Sequence, residues 1–183
     1  MKQKLLGKNP EELKAIAIEA GLPPFAGGQL ARWLYVRRAR SIDEMSDISK
    51  MGRLRLSENY EVGVTLPTDC KVSSDGTKKY LFPVSLDGVE SAVETVMIPE
   101  ADRKTLCVSS QAGCKMGCVF CMTGRQGFRG NLQGADILSQ FIAIEEAEDL
   151  SNAVFMGMGE PLDNYENVIR AIEVLTSAWG FAW

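Results

Sequence analysis

The chain has 183 residues, 45% of them hydrophobic and 24% charged, with a formal net charge of −4, which is ordinary for a globular protein with a sizeable core in one large or two small domains. It contains no histidine, which excludes Ser-His and Cys-His nucleophile pairs and every histidine-ligated metal site. No apolar run reaches the ~18 residues a membrane helix needs, and the N-terminus lacks a signal-peptide core, so a cytoplasmic protein with no membrane partner is expected.

The charge is unevenly spread. Residues 1–60 carry 11 Lys and Arg against 7 Asp and Glu, or +4, and the remainder carries 9 against 17, or −8. A basic first third on an acidic body suggests an anionic partner at that end, although uneven surface charge alone is an equal reading.

Asn9-Pro10-Glu11-Glu12 reads as a helix start, with a cap, a first-turn proline and two acids at the positive end of the dipole. Leu13, Ile16, Ala17 and Ala20 follow at helical spacing and Gly21 closes the run. After the Leu22-Pro23-Pro24 linker, a second helix fits Gln29 to Arg37, with Leu30, Trp33 and Leu34 inward. Arg32, Arg37, Arg38 and Arg40 would form a basic surface at its end. Ser41 to Glu44 is a capping-box pattern within short helices that run to Tyr60. Such a helical module could grip a phosphate backbone or present a solvated face.

From Glu61 the pattern changes. Val62, Val64 and Leu66 alternate as in a strand. Ser74-Asp75-Gly76 and Asp87-Gly88 are turn signals, so residues 62–98 are expected to form an antiparallel meander. Thr105 to Ser110 suits a buried strand, Gly134 to Ala147 an amphipathic helix, Ala153 to Met156 a second buried strand, and Tyr165 to Ser177 a second helix. Strand-loop-helix repeated twice is the start of a parallel α/β array. Two such units cannot close a barrel, so either residues 62–98 complete the sheet or the chain is part of a longer protein; the second is the expectation taken.

The chemistry lies in the loop after the first of these strands. Of five cysteines, Cys114, Cys118 and Cys121 fall within eight residues. A crowded, odd set favours metal or redox chemistry over a disulfide framework. A structural zinc site wants four ligands, usually as paired C-x-x-C units. Here there is one trio with no fourth ligand nearby. Three thiolates suit a 4Fe–4S cluster with one iron left open to another ligand, with structural zinc or unligated thiols as the alternatives. Gly113 and Gly117 let the backbone wrap closely, and Phe120 can shield the site.

The C-x-x-x-C-x-x-C pattern with an aromatic before its last cysteine, directly after Thr105 to Ser110, resembles the radical S-adenosylmethionine enzymes. The Gly157-Met-Gly-Glu-Pro161 element at the end of the next strand is similar to that superfamily's "GGEP" motif. Several stretches narrow the resemblance to the RlmN family: Glu94 to Pro99, Arg103 to Cys114, Cys118 to Gly124, Gly127 to Leu132, Gly157 to Asn164, and the Gln29 to Tyr35 helix.

This resemblance implies an α/β fold in which residues 99–183 start a partial (β/α)6 barrel, preceded by a helical RNA-binding domain at 1–60 and a β segment at 61–98. It implies methylation of carbon 2 of an adenine in large-subunit ribosomal RNA and in transfer RNA, or of carbon 8 as in close relatives. The cofactors implied are a 4Fe–4S cluster on Cys114, Cys118 and Cys121, and S-adenosylmethionine contacted by Gly159 and Glu160. Glu94 matches the proton acceptor and Cys107 the cysteine that resolves a protein–RNA adduct. Cys70 matches nothing. An electron donor such as flavodoxin and a monomeric state are also implied. The methyl-carrying cysteine of the family should lie beyond residue 183, so residues 1–183 alone are expected to ligate a cluster at best. A metal-stabilised RNA-binding module without catalysis is the competing class.

Overall fold

Capping chemistry opens the first helix in the computed structural model, which describes residues 2–86 and 88–183. By its contacts the chain divides into two units, residues 1–64 with 170–183, and residues 65–169.

In the first unit β1 (Gln3–Lys4) leads to α1 (Pro10–Glu19). The Asn9 side chain accepts from the Glu12 N–H while Glu12 accepts from the Asn9 N–H, so the cap expected at Asn9 is present and is reciprocal. Then come α2 (Ala26–Ala31), a π-helical turn over Arg32–Val36, a 3₁₀ turn at Ile42–Glu44 and α3 (Lys50–Asn59). The second helix thus starts three residues before the expected Gln29 and widens to a π turn where Arg37 donates to the Arg32 carbonyl. The expected capping box at Ser41 is present. Strand β2 (Tyr60–Glu61) pairs in parallel with β1, a pairing too short to leave a sequence signal. Leu5, Leu13, Leu30, Leu34, Met45 and Leu56 fill the core. Arg32, Arg37 and Arg40 are exposed and Arg38 half-buried; Arg37 lies over the Trp33 ring at 4.2 Å.

The second unit is built on a five-stranded sheet. It runs through β3 (Asp69–Val72), β4 (Lys78–Leu86), β5 (Val89–Pro99) and β6 (Lys104–Cys107), all antiparallel neighbours. After β6 the chain forms β7 (Gln111–Ala112), the short α4 (Met122–Arg125) and β8 (Gly130–Asn131), which pairs back with β7. Then α5 (Gly134–Ile142) crosses to β9 (Asn152–Val154), which lies parallel to β6, and a 3₁₀ turn at Pro161–Asn164 leads into α6 (Tyr165–Thr176).

The meander and the parallel pair therefore share one sheet, joined by β5 to β6. Several expected bounds shift. Residues 62–66 are not a strand: the Val62 carbonyl accepts from the Leu6 N–H at 2.9 Å, and the Thr65 N–H turns to the Ser139 hydroxyl at 3.0 Å. The 134–147 helix ends at Ile142, and the two parallel strands are shorter than expected. Of the Asp87-Gly88 turn, Asp87 lies outside the described residues and Gly88 follows with φ +82°.

Alternation sorts the sheet's faces. Tyr80, Phe82, Val93, Thr95, Met97 and Leu106 are buried on one face. There Gln140 of α5 accepts from the Thr95 hydroxyl at 2.6 Å, accepts from the Ser109 N–H and donates to the Ser109 carbonyl. Lys79, Leu81, Glu94, Val96 and Cys107 lie on the other, more open face. No described helix is long and apolar enough to cross a membrane.

Candidate active site

Loops from adjacent strand ends form the site. β6 and β9 are parallel neighbours, and the segments that leave their C-terminal ends are Val108–Cys121 and Phe155–Pro161. The C-terminal edge of a parallel sheet is where α/β folds gather ligands, because successive loops emerge there side by side.

Those loops are stitched together by backbone and short side chains. The Ser109 hydroxyl accepts from the Met158 N–H at 2.8 Å and donates to the Glu94 carbonyl. The Met158 carbonyl accepts from the N–H groups of Ser110 and Gln111 at 2.9 and 3.1 Å. Asn164 donates to the carbonyls of Ser110 and Leu132, both at 2.8 Å. Gly159 has φ +97°, and a Cβ there would lie 2.5 Å from Gln111 Cβ, so only glycine fits. Glu160 is half-buried and its Oε1 accepts from the Leu162 N–H at 3.0 Å, starting the 3₁₀ turn.

The cysteines sit on an exposed loop. Cys118 is exposed, Cys114 and Cys121 are half-exposed, and Val119 and Phe120 face outward at 83% and 87%, so Phe120 does not cover the thiols. Among the described residues no three His, Cys, Asp or Glu side chains converge as a metal-holding group. The loop nevertheless offers what thiolate ligands need. Met116 N–H reaches Cys114 Sγ at 3.5 Å. The N–H groups of Gly124 and Thr123 hold the Cys121 thiol below the usual range. Gly113 has φ +75° where a Cβ would lie 1.7 Å from the Gly127 carbonyl oxygen, so the loop's entry is pressed against its exit. A donor set of three thiols with no imidazole fits an iron–sulfur cluster by its chemistry.

Glu94 and Cys107 share the open face, because Val96 pairs with Cys107 and Glu94 lies two residues before Val96. Glu94 is exposed and ion-paired to Lys79 at 2.8 Å. Burial pushes the Cys107 thiol up, against a backbone hydrogen bond from Met156. Cys70 is exposed on β3, away from these loops in sequence and sheet order.

Comparison with known proteins bears on the resemblance. The family model described as "Ribosomal RNA large subunit methyltransferase N-terminal domain" matches residues 3–62, and that of the "Radical SAM superfamily" matches residues 108–180. A protein of Porphyromonas gingivalis named "Probable dual-specificity RNA methyltransferase RlmN" is 55% identical over 98% of this chain and 52% of its own length. The "Dual-specificity RNA methyltransferase RlmN" of Geobacter sulfurreducens is 43% identical over 92% of this chain and 46% of its own. Over nearly all of its length, the chain is similar to RlmN proteins. It spans about half the length of these curated RlmN relatives. A crystal structure of a radical SAM methyltransferase from Sphaerobacter thermophilus matches 99% of this chain and 54% of its own, at 33% identity and a TM-score of 0.86. The fold is thus a helical module followed by an α/β part, like the matching portion of that radical SAM methyltransferase, as the sequence resemblance implied.

Sequence reasoning left Lys79, Ser109, Gln111, Asp163 and Asn164 without roles. Their partners across the sheet and between the loops lie 15 to 54 residues away, and no local pattern announces such pairings. The one signal was that Ser109, Ser110 and Gln111, all polar, extend an otherwise apolar strand into the cysteine motif.

Proposed function

We propose that this chain carries the cluster-binding half of a radical S-adenosylmethionine enzyme that methylates carbon 2 of adenine in large-subunit ribosomal RNA and in transfer RNA. The supporting observation is the tie between the two strand-end loops: the cysteine-bearing loop after β6 and the Gly157-Met-Gly-Glu-Pro161 loop after β9 meet through Ser109, Ser110 and Gln111.

In this reading Cys114, Cys118 and Cys121 ligate a 4Fe–4S cluster, and the backbone N–H groups at Met116, Thr123 and Gly124 stabilise their thiolates. When bound, the reduced cluster supplies the electron that generates a radical from S-adenosylmethionine. Glu160 accepts from the cofactor's ammonium group through its carboxylate, and Gly159 lets the backbone come close. Glu94 is the proton acceptor for the adenine, held by Lys79 on the open face. Cys107, on the same face, breaks the protein–RNA adduct. Its half-buried, protonated thiol is shielded from adventitious oxidation until a partner enters. Residues 1–60, with the exposed Arg32, Arg37 and Arg40, form the RNA-gripping module; residues 61–98 carry Glu94 and its strand partners, and residues 99–183 the two cofactor loops. An acidic redox partner such as flavodoxin supplies the electron.

Two measurements test this. Anaerobically prepared protein should contain iron and acid-labile sulfide, with a reduced-cluster electron paramagnetic resonance signal that changes when S-adenosylmethionine is added. Zinc in place of iron would overturn the reading. Nucleoside mass spectrometry of ribosomal and transfer RNA from a deletion strain should lose 2-methyladenosine; loss of 8-methyladenosine alone would move the product to the other carbon.

A further inference from the structure

Gln111 is a fully buried polar side chain, 0% exposed, three residues before Cys114. Both N–H donors and the amide oxygen are engaged. Oε1 accepts from the Glu160 N–H at 2.9 Å, and Nε2 donates to Asn131 Oδ1 at 2.8 Å and to Asp163 Oδ2 at 2.7 Å. Chemistry fixes the amide's orientation: a backbone N–H can only donate, so oxygen faces Glu160, and a carboxylate can only accept, so nitrogen faces Asp163. The Gln111 backbone N–H binds the Met158 carbonyl, and its Cβ occupies the space that Gly159 leaves free. One residue therefore touches Met158, Gly159, Glu160 and Asp163 in succession. Asp163 makes a second tie, 3.0 Å from Lys115 Nζ, the residue after Cys114, and Lys115 lies 4.3 Å over the Phe128 ring.

We propose that Gln111 is a positioning residue for S-adenosylmethionine: it fixes the Gly159–Glu160 loop against the cysteine loop, with Asp163 as its partner. This rests on the proposed cofactor site. Gln111 is fully buried and is none of the proposed cluster or cofactor ligands, so its loss separates cofactor affinity from cluster assembly.

The test uses full-length, cluster-loaded protein. In Gln111→Glu one carboxylate oxygen still accepts from Glu160 while the other faces the Asp163 carboxylate. Iron, sulfide and the reduced-cluster signal without cofactor should match wild type, while the Kd for S-adenosylmethionine rises about 10- to 100-fold, the range for outer-shell support of a metal site. Adding Asp163→Asn in that background turns the repelling carboxylate into an amide donor and should recover most of the affinity. A Kd within about twofold of wild type, a cluster lost together with affinity, or no recovery in the double variant each overturns the proposal. Wild-type protein offers a check without substitution: the Glu160 amide should exchange slowly with deuterium in the cofactor-free state, and exchange at the unprotected rate overturns it. If the wild-type cluster signal ignores S-adenosylmethionine, the proposed function itself falls. A response in wild type with unaltered affinity in Gln111→Glu sinks only the role of Gln111.

Discussion

Lys79 Nζ lies 2.8 Å from Glu94 Oε1, reaching from β4 to β5 on the open face that also carries Cys107. Both side chains are about half exposed, at 45% and 47%. A pair this wet contributes at most about 1 kcal/mol to folding, so its value lies in where it holds the carboxylate. Lys79→Met should change the unfolding free energy by no more than about 1 kcal/mol while slowing adenine methylation by the full-length enzyme about tenfold. Because Glu94 is the proposed proton acceptor, Glu94→Gln should cost about 10²- to 10⁴-fold, the usual contribution of a proton-transfer group. Nucleoside mass spectrometry of single-turnover reactions reads both, and wild-type rates in Glu94→Gln would remove Glu94 from the reaction.

The cysteine loop depends on backbone contact as much as on its thiols. Gly113 has φ +75° with the Gly127 carbonyl oxygen 1.7 Å from where a Cβ would sit. Backbone cannot rotate away as a side chain can. Gly113→Ala should therefore destabilise by about 2–4 kcal/mol, strain and clash together, seen as a lower urea midpoint. It should also lower iron per chain after reconstitution, because the loop's two ends no longer meet.

Local rules carried the sequence reading where the physics is local. The Asn9 cap and the Ser41–Glu44 box were both legible, because each closes within four residues. Alternation misled at Val62, Val64 and Leu66: Val62 is buried, but Leu66 is 48% exposed and the Thr65 N–H goes to the Ser139 hydroxyl in place of a strand partner. A period of two describes a strand only where a partner accepts its backbone. The cysteine trio, Glu94 and Glu160 were visible as residue types in motifs. The groups that hold them, Lys79, Ser109, Gln111 and Asp163, were not, because a buried amide or an ion pair between strands is set by tertiary register and leaves no spacing to read.

Cys107 and Cys70 differ in environment and should differ in reactivity. Burial pushes the Cys107 thiol up, so its thiolate is scarce at mildly alkaline pH, whereas Cys70 is exposed. With iodoacetamide at about pH 8, where an ordinary cysteine is partly ionised, peptide mass spectrometry should find Cys70 carboxamidomethylated well before Cys107. Equal rates would mean that the strand β6 thiol is open to solvent.

Glu146 links stability to acid pH through one buried cluster. Its carboxylate accepts from the Tyr80 hydroxyl at 2.7 Å and pairs with Lys78 at 2.6 Å, and Lys78 also reaches Glu145 at 2.6 Å. Burial alone pushes the Glu146 carboxyl up; the hydrogen bonds from Lys78 and Tyr80 outweigh it and hold the group below its ordinary range. A carboxyl depressed in the folded state adds stability that is fully present above its unfolded value and fades as pH falls through the folded one. The window therefore opens near about pH 4.5 and extends downward. Tyr80 and Lys78 are both shifted up, so neither titrates there. Glu146→Gln keeps the shape and removes the charge. It should lower the unfolding free energy by about 1–3 kcal/mol near neutrality. Below about pH 4.5 the gap to wild type should narrow, because the wild-type carboxylate is itself being protonated. Urea titrations of both proteins, stepped from neutral to acid pH, measure the difference directly. A gap that stays constant across that range would mean that Glu146 acts through its shape and not its charge.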